Sequence, residues 1–279
     1  MKKKDQHSHI TAITTLITLV AILSGTIWAV ATQPPLQFIP IIPQETMKTT
    51  TWPAADQQTD KPFSLGSDGI DISFYQGGIR WDSLANDSVK QPSFIYMRLM
   101  GRGAYYDSLY YHNIQQARQH RIPVGTYIFY THFVPVHEQF RRFISAAHPD
   151  MQDLRPMIDV ESLSLKPDSD NTHLCDSVLL LSQLMERHYG CRPLIYSSQN
   201  FYNRHLNPRL NNHLLWIANY SRQPVVPGAL PILWQYSDRG HLPGIYTPVD
   251  LDRFINAGSV GHLRMLPKKS VKKSVKNEE

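Results

Sequence analysis

The chain has 279 residues, of which 42% are hydrophobic, 18% charged and 10% aromatic. This composition excludes a disordered polymer, a coiled coil, a collagen and a disulfide-rich mini-protein, and the length suits one domain of roughly 200–250 residues with appendages. The formal charge of +5 invites a nucleic-acid reading, but the two ends hold all of it: residues 10–267 carry 20 basic and 20 acidic side chains. A neutral body without a basic stripe predicts no nucleic-acid partner.

Residues 1–9 form a basic segment with Lys2, Lys3 and Lys4, and residues 10–31 contain no charge. As a helix rising about 1.5 Å per residue, that stretch spans a hydrocarbon core of roughly 30 Å. The preceding lysines orient it with the N-terminus in the cytoplasm. It is therefore expected to be a transmembrane anchor, with the rest of the chain on the periplasmic or extracellular side. The alternative is a cleaved signal peptide ending at Ala29-Val30-Ala31 and a secreted product. Residues 32–66 hold six of the 20 prolines, mixed with Thr and Gln, and read as a stalk. The globular domain is expected over 67–266, and the Lys-rich end, 267–279, as a disordered tail.

Within the domain, β-branched and aromatic runs alternate with helical patterns. Strands are predicted at 69–73, 94–99, 124–130, 156–161 and 193–197, with helices behind them at 81–84, 109–120, 138–147, 174–188 and 200–204. Three further strands, 214–218, 232–237 and 249–251, follow without convincing helices. Five βα units and three closely connected strands predict an α/β fold, a single β/α barrel of the (β/α)5(β)3 type preceded by the transmembrane helix. An open doubly wound sheet is the alternative. Cys175 and Cys191 would flank the long helix at opposite ends, about 24 Å apart, so no disulfide is expected between them.

The predicted strand ends are acidic. Asp71 closes the first strand, Asp159 and Glu161 close the fourth, and Asp250 and Asp252 lie in the eighth. Asp159 and Glu161 are spaced i, i+2, which puts both side chains on one face. Carboxylates in apolar strands are costly unless paired or used. Two carboxyls with separated pKa values can cleave a glycosidic bond, while an ion-pair network or a metal site fits the same spacing. Tyr75, Tyr96, Tyr127, Phe129, Tyr196, Trp216, Tyr220, Trp234 and Tyr236 fall in or just after strands, where they can stack on sugar rings or simply fill a core. The 13 histidines show no ligand spacing, so neither a metal nor any other cofactor is expected.

The blocks of this sequence resemble those of the family 25 glycoside hydrolases, the lysozymes that cleave N-acetylmuramyl linkages. GIDISFYQGGIRW (69–81) is similar to the family's GIDVSxxQGxIDW, and YYDSLYYHNIQQAR (105–118) with IPVGTYIF (122–129) to its Y-x-D, N-x-x-x-A and VGxYHF. RPMIDVE (155–161), RPLIYSS (192–198) and LWIANY (215–220) resemble PxxDVE, PxIYT and LWxAxY. ILWQYSDRGHLPGIYTPVDLDRF (232–254) resembles WQYSxxGxVxGIxxxVDxNxF. The resemblance implies a peptidoglycan hydrolase acting on the β-1,4 bond between N-acetylmuramic acid and N-acetylglucosamine. It implies Glu161 as general acid, Asp159 as the carboxylate that orients the acetamido group, and Asp71 and Asp250 as two further acids. Tyr75, Tyr127, Tyr196, Trp216, Gln235 and Tyr236 fall on blocks that line the family's groove. A monomer is assumed.

The chain departs from the family pattern twice. Where the family reads KATEG, residues 98–103 read RLMGRG, losing a Glu and gaining an Arg. Ile128 stands where the family often carries His. These departures keep open a peptidoglycan-binding module without catalysis, or a hydrolase of another N-acetylhexosamine glycan.

Overall fold

The computed structural model describes residues 68–86 and 91–265. The segments read as an anchor (10–31), a stalk (32–66) and a tail (267–279) lie outside the described residues. Among the described residues, no helix is long and apolar enough to cross a membrane.

Eight strands close into a barrel in sequence order: β1 (Gly69–Ile72), β2 (Ile95–Met100), β3 (Val124–Phe129), β4 (Met157–Asp159), β5 (Leu194–Ser198), β6 (Leu215–Ala218), β7 (Leu233–Gly240) and β8 (Val249–Phe254). The barrel replaces the open-sheet alternative. Strands β1 to β7 run parallel, whereas β8 is antiparallel to both of its neighbours. Loop length accounts for the reversal. A parallel crossover needs about a dozen residues or more, and the segment between β7 and β8, 241–248, is too short for one. The segment between β6 and β7, 219–232, is long enough, so that pair stays parallel without a helix.

Helices α1 (Trp81–Asn86), α2 (Tyr110–Gln119), α3 (Val136–Ala146) and α4 (Leu174–Tyr189) follow β1 to β4. The short α5 (Gln199–Phe201) follows β5 and runs on as a wide π turn over Tyr202–Leu206, and α6 (Val260–Leu263) is the last helix among the described residues. In α4, Leu174, Val178, Leu181 and Met185 recur at helical spacing and are all buried. Gly190 ends the helix in the left-handed conformation, φ 75°. Cys175 lies in the first turn of α4 and Cys191 just past its end, and both are free thiols.

Strand alternation sorts the core into two layers. Ile70, Ile72, Ile95, Met97, Ile158 and Ile217 face the helices. Phe94, Tyr96, Leu194, Trp216 and Leu233 fill the barrel instead. Trp216 packs edge-on against Phe94, Tyr96 and Tyr196, with ring centroids 5.1–6.3 Å apart. Two glycines make room for these rings. A Cβ on Gly69 would lie 2.2 Å from the Phe94 ring, and one on Gly125 would lie 2.3 Å from Tyr96. This aromatic floor plugs the barrel below its upper rim.

Candidate active site

A cleft of about 610 Å³ opens above that floor. Asp71, Asp159, Glu161 and Asp250 all line it. Three arrive as expected, at or just beyond the C-terminal ends of β1 and β4. Asp250 arrives differently: it sits near the start of β8, and the reversed direction of that strand brings its N-terminal end to the same rim. There it is the direct register partner of Asp71.

Strand β4 is shorter than predicted, so Glu161 lies beyond it. Its backbone N–H donates to the Ser164 hydroxyl at 3.1 Å, and that hydroxyl donates to the Tyr130 carbonyl at 2.8 Å. These bonds pin the Glu161 backbone while its carboxyl, half-buried, faces the cleft. Burial raises its pKa. Asp159 is register partner to Phe129 on one side and Tyr196 on the other. Its Oδ1 is buried without a hydrogen-bond partner. Burial, and then the charges of Glu161 and Asp71, hold its pKa well above the usual carboxylate range.

Asp71 is fixed by a relay of side chains. Gln235 Nε2 donates to Asp71 Oδ2 at 2.7 Å, and Gln235 Oε1 accepts the hydroxyls of Tyr196 at 2.7 Å and Tyr220 at 2.8 Å. The two phenols orient the amide so that its NH2 faces the acid. Burial and the neighbouring Asp250 push the Asp71 pKa well up, against the bond from Gln235. Burial, with Asp238 and Glu161, raises Asp250 to about 6.

A cation stands among these acids. Arg98 Nε and Nη2 both lie 3.2 Å from Asp107 Oδ2. Asp107 also accepts the backbone N–H groups of Phe74 at 2.8 Å and Leu109 at 3.0 Å. The guanidinium lies 4.8 Å from the Phe74 ring centroid and 5.0 Å from that of Tyr75. The turn after β1 sets these rings, because Ser73 Oγ accepts the Tyr75 N–H and Gln76 Oε1 accepts the Ser73 N–H. Neither Arg98 nor Asp107 was among the candidate residues, although Arg98 lies two positions after inward-facing Tyr96 and so shares its face. Phe129 and Tyr220, flagged only as strand-end aromatics, also line the cleft.

Of the aromatic candidates, Tyr127 and Tyr196 are buried in the cleft wall and Tyr75 is exposed on its rim. Two candidates are displaced from the groove. Trp216 is fully buried in the floor, where its Nε1–H donates to Asp252 at 2.9 Å. Tyr236 falls on the face of β7 opposite to Gln235, beside Trp234 and 4.8 Å from the Arg253 guanidinium. Strand period explains both: Trp216 points inward one layer too deep, and Tyr236 points away. Asp252, the register partner of Gly69 below Asp71, is fully buried, and burial holds its pKa well up. Ile128 is buried against the helices, so the departure at that position leaves the cleft unchanged. Among the described residues, no group of His, Cys, Asp and Glu is placed to hold a metal ion.

A closed mixed barrel gathers four carboxyls around one cleft, and its known relatives include glycoside hydrolases. The sequence profile of glycosyl hydrolases family 25 matches residues 70–245, and the chain belongs to that family. It is 30% identical over 199 residues to the Escherichia coli protein YegX, covering 69% of this chain and 71% of the other. It is 27% identical over 196 residues to an autolytic lysozyme of Clostridium acetobutylicum, covering 69% and 57%. A family 25 glycosyl hydrolase from Bacillus anthracis shares the fold with a TM-score of 0.61 at 23% identity, covering 75% of this chain and 97% of that one.

Proposed function

We propose that the chain is a lysozyme that hydrolyses the β-1,4 bond between N-acetylmuramic acid and N-acetylglucosamine in peptidoglycan. The observation that carries this reading is the Asp159–Glu161 pair at the end of β4. Glu161, its backbone pinned beside the cleft, keeps its proton to higher pH than a free carboxyl does. Asp159 is buried with an unpartnered oxygen.

Glu161 donates its proton to the glycosidic oxygen as the bond to C1 breaks. Asp159 Oδ1 accepts the N–H of the 2-acetamido group and directs that group's carbonyl oxygen onto C1. Water then attacks C1, Glu161 takes its proton, and the acetamido group is restored. Asp250, which ionises above about pH 6, sets a negative field that stabilises the cationic sugar, and Asp71, held by Gln235, lies opposite it. Tyr127 and Tyr196 form the wall and Tyr75 the rim along which the sugars lie. The autolytic lysozyme among the relatives supports peptidoglycan as the polymer. That polymer lies outside the cytoplasmic membrane, so the barrel acts there. Segment 10–31 serves as its anchor, which membrane fractionation of the full chain tests.

Glu161→Gln is expected to lower release of reducing ends from purified peptidoglycan by roughly 10²–10⁴-fold with the fold intact. Undiminished activity would remove Glu161 from this role. Product masses from peptidoglycan and chitin oligomers distinguish the muramyl bond from other N-acetylhexosamine linkages.

A further inference from the structure

The loop in which the chain departs from the family pattern is a constructed turn at the mouth of the cleft. Gly101 N–H donates to the Tyr105 carbonyl and Ala104 N–H to the Gly101 carbonyl, each at 2.9 Å. Met100 bridges Tyr106 just outside this turn. Two successive residues take left-handed backbone, Gly103 at φ 84° and Ala104 at φ 60°. A side chain rarely adopts that conformation, and Ala104 is held there with its methyl buried. At Gly103 a Cβ would also come within 2.9 Å of the Tyr105 ring. The turn presents Arg102 and Tyr105, both exposed, on the cleft lining.

Arg102 differs from Arg98, which is 3.2 Å from Asp107. Among the described residues no carboxylate lies within ion-pair distance of Arg102. Its guanidinium lies instead 5.7 Å from the ring centroid of the exposed Phe133. The deeper cleft is acidic, so an anionic substrate is repelled there. An unpaired guanidinium at the mouth, steadied on an aromatic face, offers the matching contact and can grip a carboxylate with two parallel hydrogen bonds.

We propose that Arg102 is a specificity-determining residue that binds a carboxylate borne on the lactyl arm of the muramic sugar, that of the attached peptide or, where no peptide is attached, the arm's own. This rests on the peptidoglycan reading above. Arg102 and Tyr105 line the same cleft as Asp159 and Glu161, and in this reading the sugar ring lies over the two acids with its arm towards that rim.

The test compares native peptidoglycan with the same wall after its carboxyls have been converted to amides. Arg102→Gln is expected to lower kcat/KM on the native wall roughly three- to tenfold more than on the amidated wall, and Arg102→Lys is expected to recover part of the difference. Equal loss on both walls, or loss on neither, overturns the proposal. Strands stripped of peptide by an amidase locate the group. A selective loss that vanishes on them assigns the contact to the peptide, and one that persists shows that the lactyl carboxylate freed by the amidase also serves as the ligand. Co-sedimentation with the two walls reads the same difference without turnover. An inactive wild-type enzyme would therefore sink the hydrolase reading while leaving the carboxylate contact measurable.

Discussion

Asp71 and Asp250 are opposed in register across the antiparallel β1–β8 pair, although about 180 residues separate them in sequence. Like charges directly opposite one another repel, and here both are also desolvated. Burial and Asp250 therefore make Asp71 hold its proton to higher pH than a free carboxyl does, and burial, with Asp238 and Glu161, raises Asp250 to about 6. The protein retains this unfavourable arrangement at the mouth of its cleft, where a developing positive charge on a sugar would relieve it.

This arrangement makes stability pH-dependent with a definite sign. A carboxyl whose folded pKa is raised binds more protons folded than unfolded. Its stabilising contribution is thus present below the unfolded value of 3.8 and is lost as pH rises through about 6 for Asp250. The chain is expected to resist urea better at pH 5 than at pH 7.5. Asp250→Asn should raise the unfolding free energy at pH 7.5 by roughly 1–2 kcal/mol, discounted for partial exposure, and flatten the profile. A variant less stable than wild type at pH 7.5 would contradict the assignment of strain to the buried, charge-crowded Asp250.

Gln235 is the joint of the site, bonded to Asp71, Tyr196 and Tyr220 at 2.7–2.8 Å. Gln235→Leu keeps approximate volume but removes the partner of all three. It should cost about 2–4 kcal/mol of stability and lower kcat through loss of Asp71 orientation. Tyr220→Phe, which removes one of the two phenols that orient the amide, should cost only about 1 kcal/mol. Urea titration of both variants, alongside kcat and KM, separates the two effects.

Trp216 belongs to the floor, so its substitutions should act on folding rather than on substrate binding. Trp216→Ala is expected to lose roughly 3–5 kcal/mol by opening a cavity among Phe94, Tyr96 and Tyr196. Trp216→Phe removes the bond to Asp252 and should cost about 1–3 kcal/mol, with KM for peptidoglycan unchanged. A large rise in KM for Trp216→Phe would return this residue to the groove.

Much of the fold was readable because its signals are local. The hydrophobic run of β4 and the i, i+2 spacing of Asp159 and Glu161 predicted one face for both carboxyls, and the extended backbone at Glu161, past the end of β4, keeps both at the cleft. The spacing of strands and helices predicted eight strands, and Leu174, Val178, Leu181 and Met185 marked α4. What local signals miss is depth and direction. Trp216 and Tyr196 are both inward-facing residues of adjacent strands, yet one is floor and the other wall. Nothing within LWIANY or RPLIYSS distinguishes them. Arg98 shared a face with Tyr96, but its ion pair with Asp107 requires β2 and the following loop to fold back on each other.

The amino-acid sequence by itself determined the barrel class, the family and the four acids, because strand period and motif spacing are properties of neighbouring residues. Only the tertiary structure decided that β8 runs against the other strands and brings Asp250 opposite Asp71. It also oriented Gln235 between that acid and two tyrosines, and left Arg102 unpaired among the described residues at the rim. The physical reason is closure. Joining the first strand to the last sets which distant side chains share a face and a depth, and so which charges must accommodate one another.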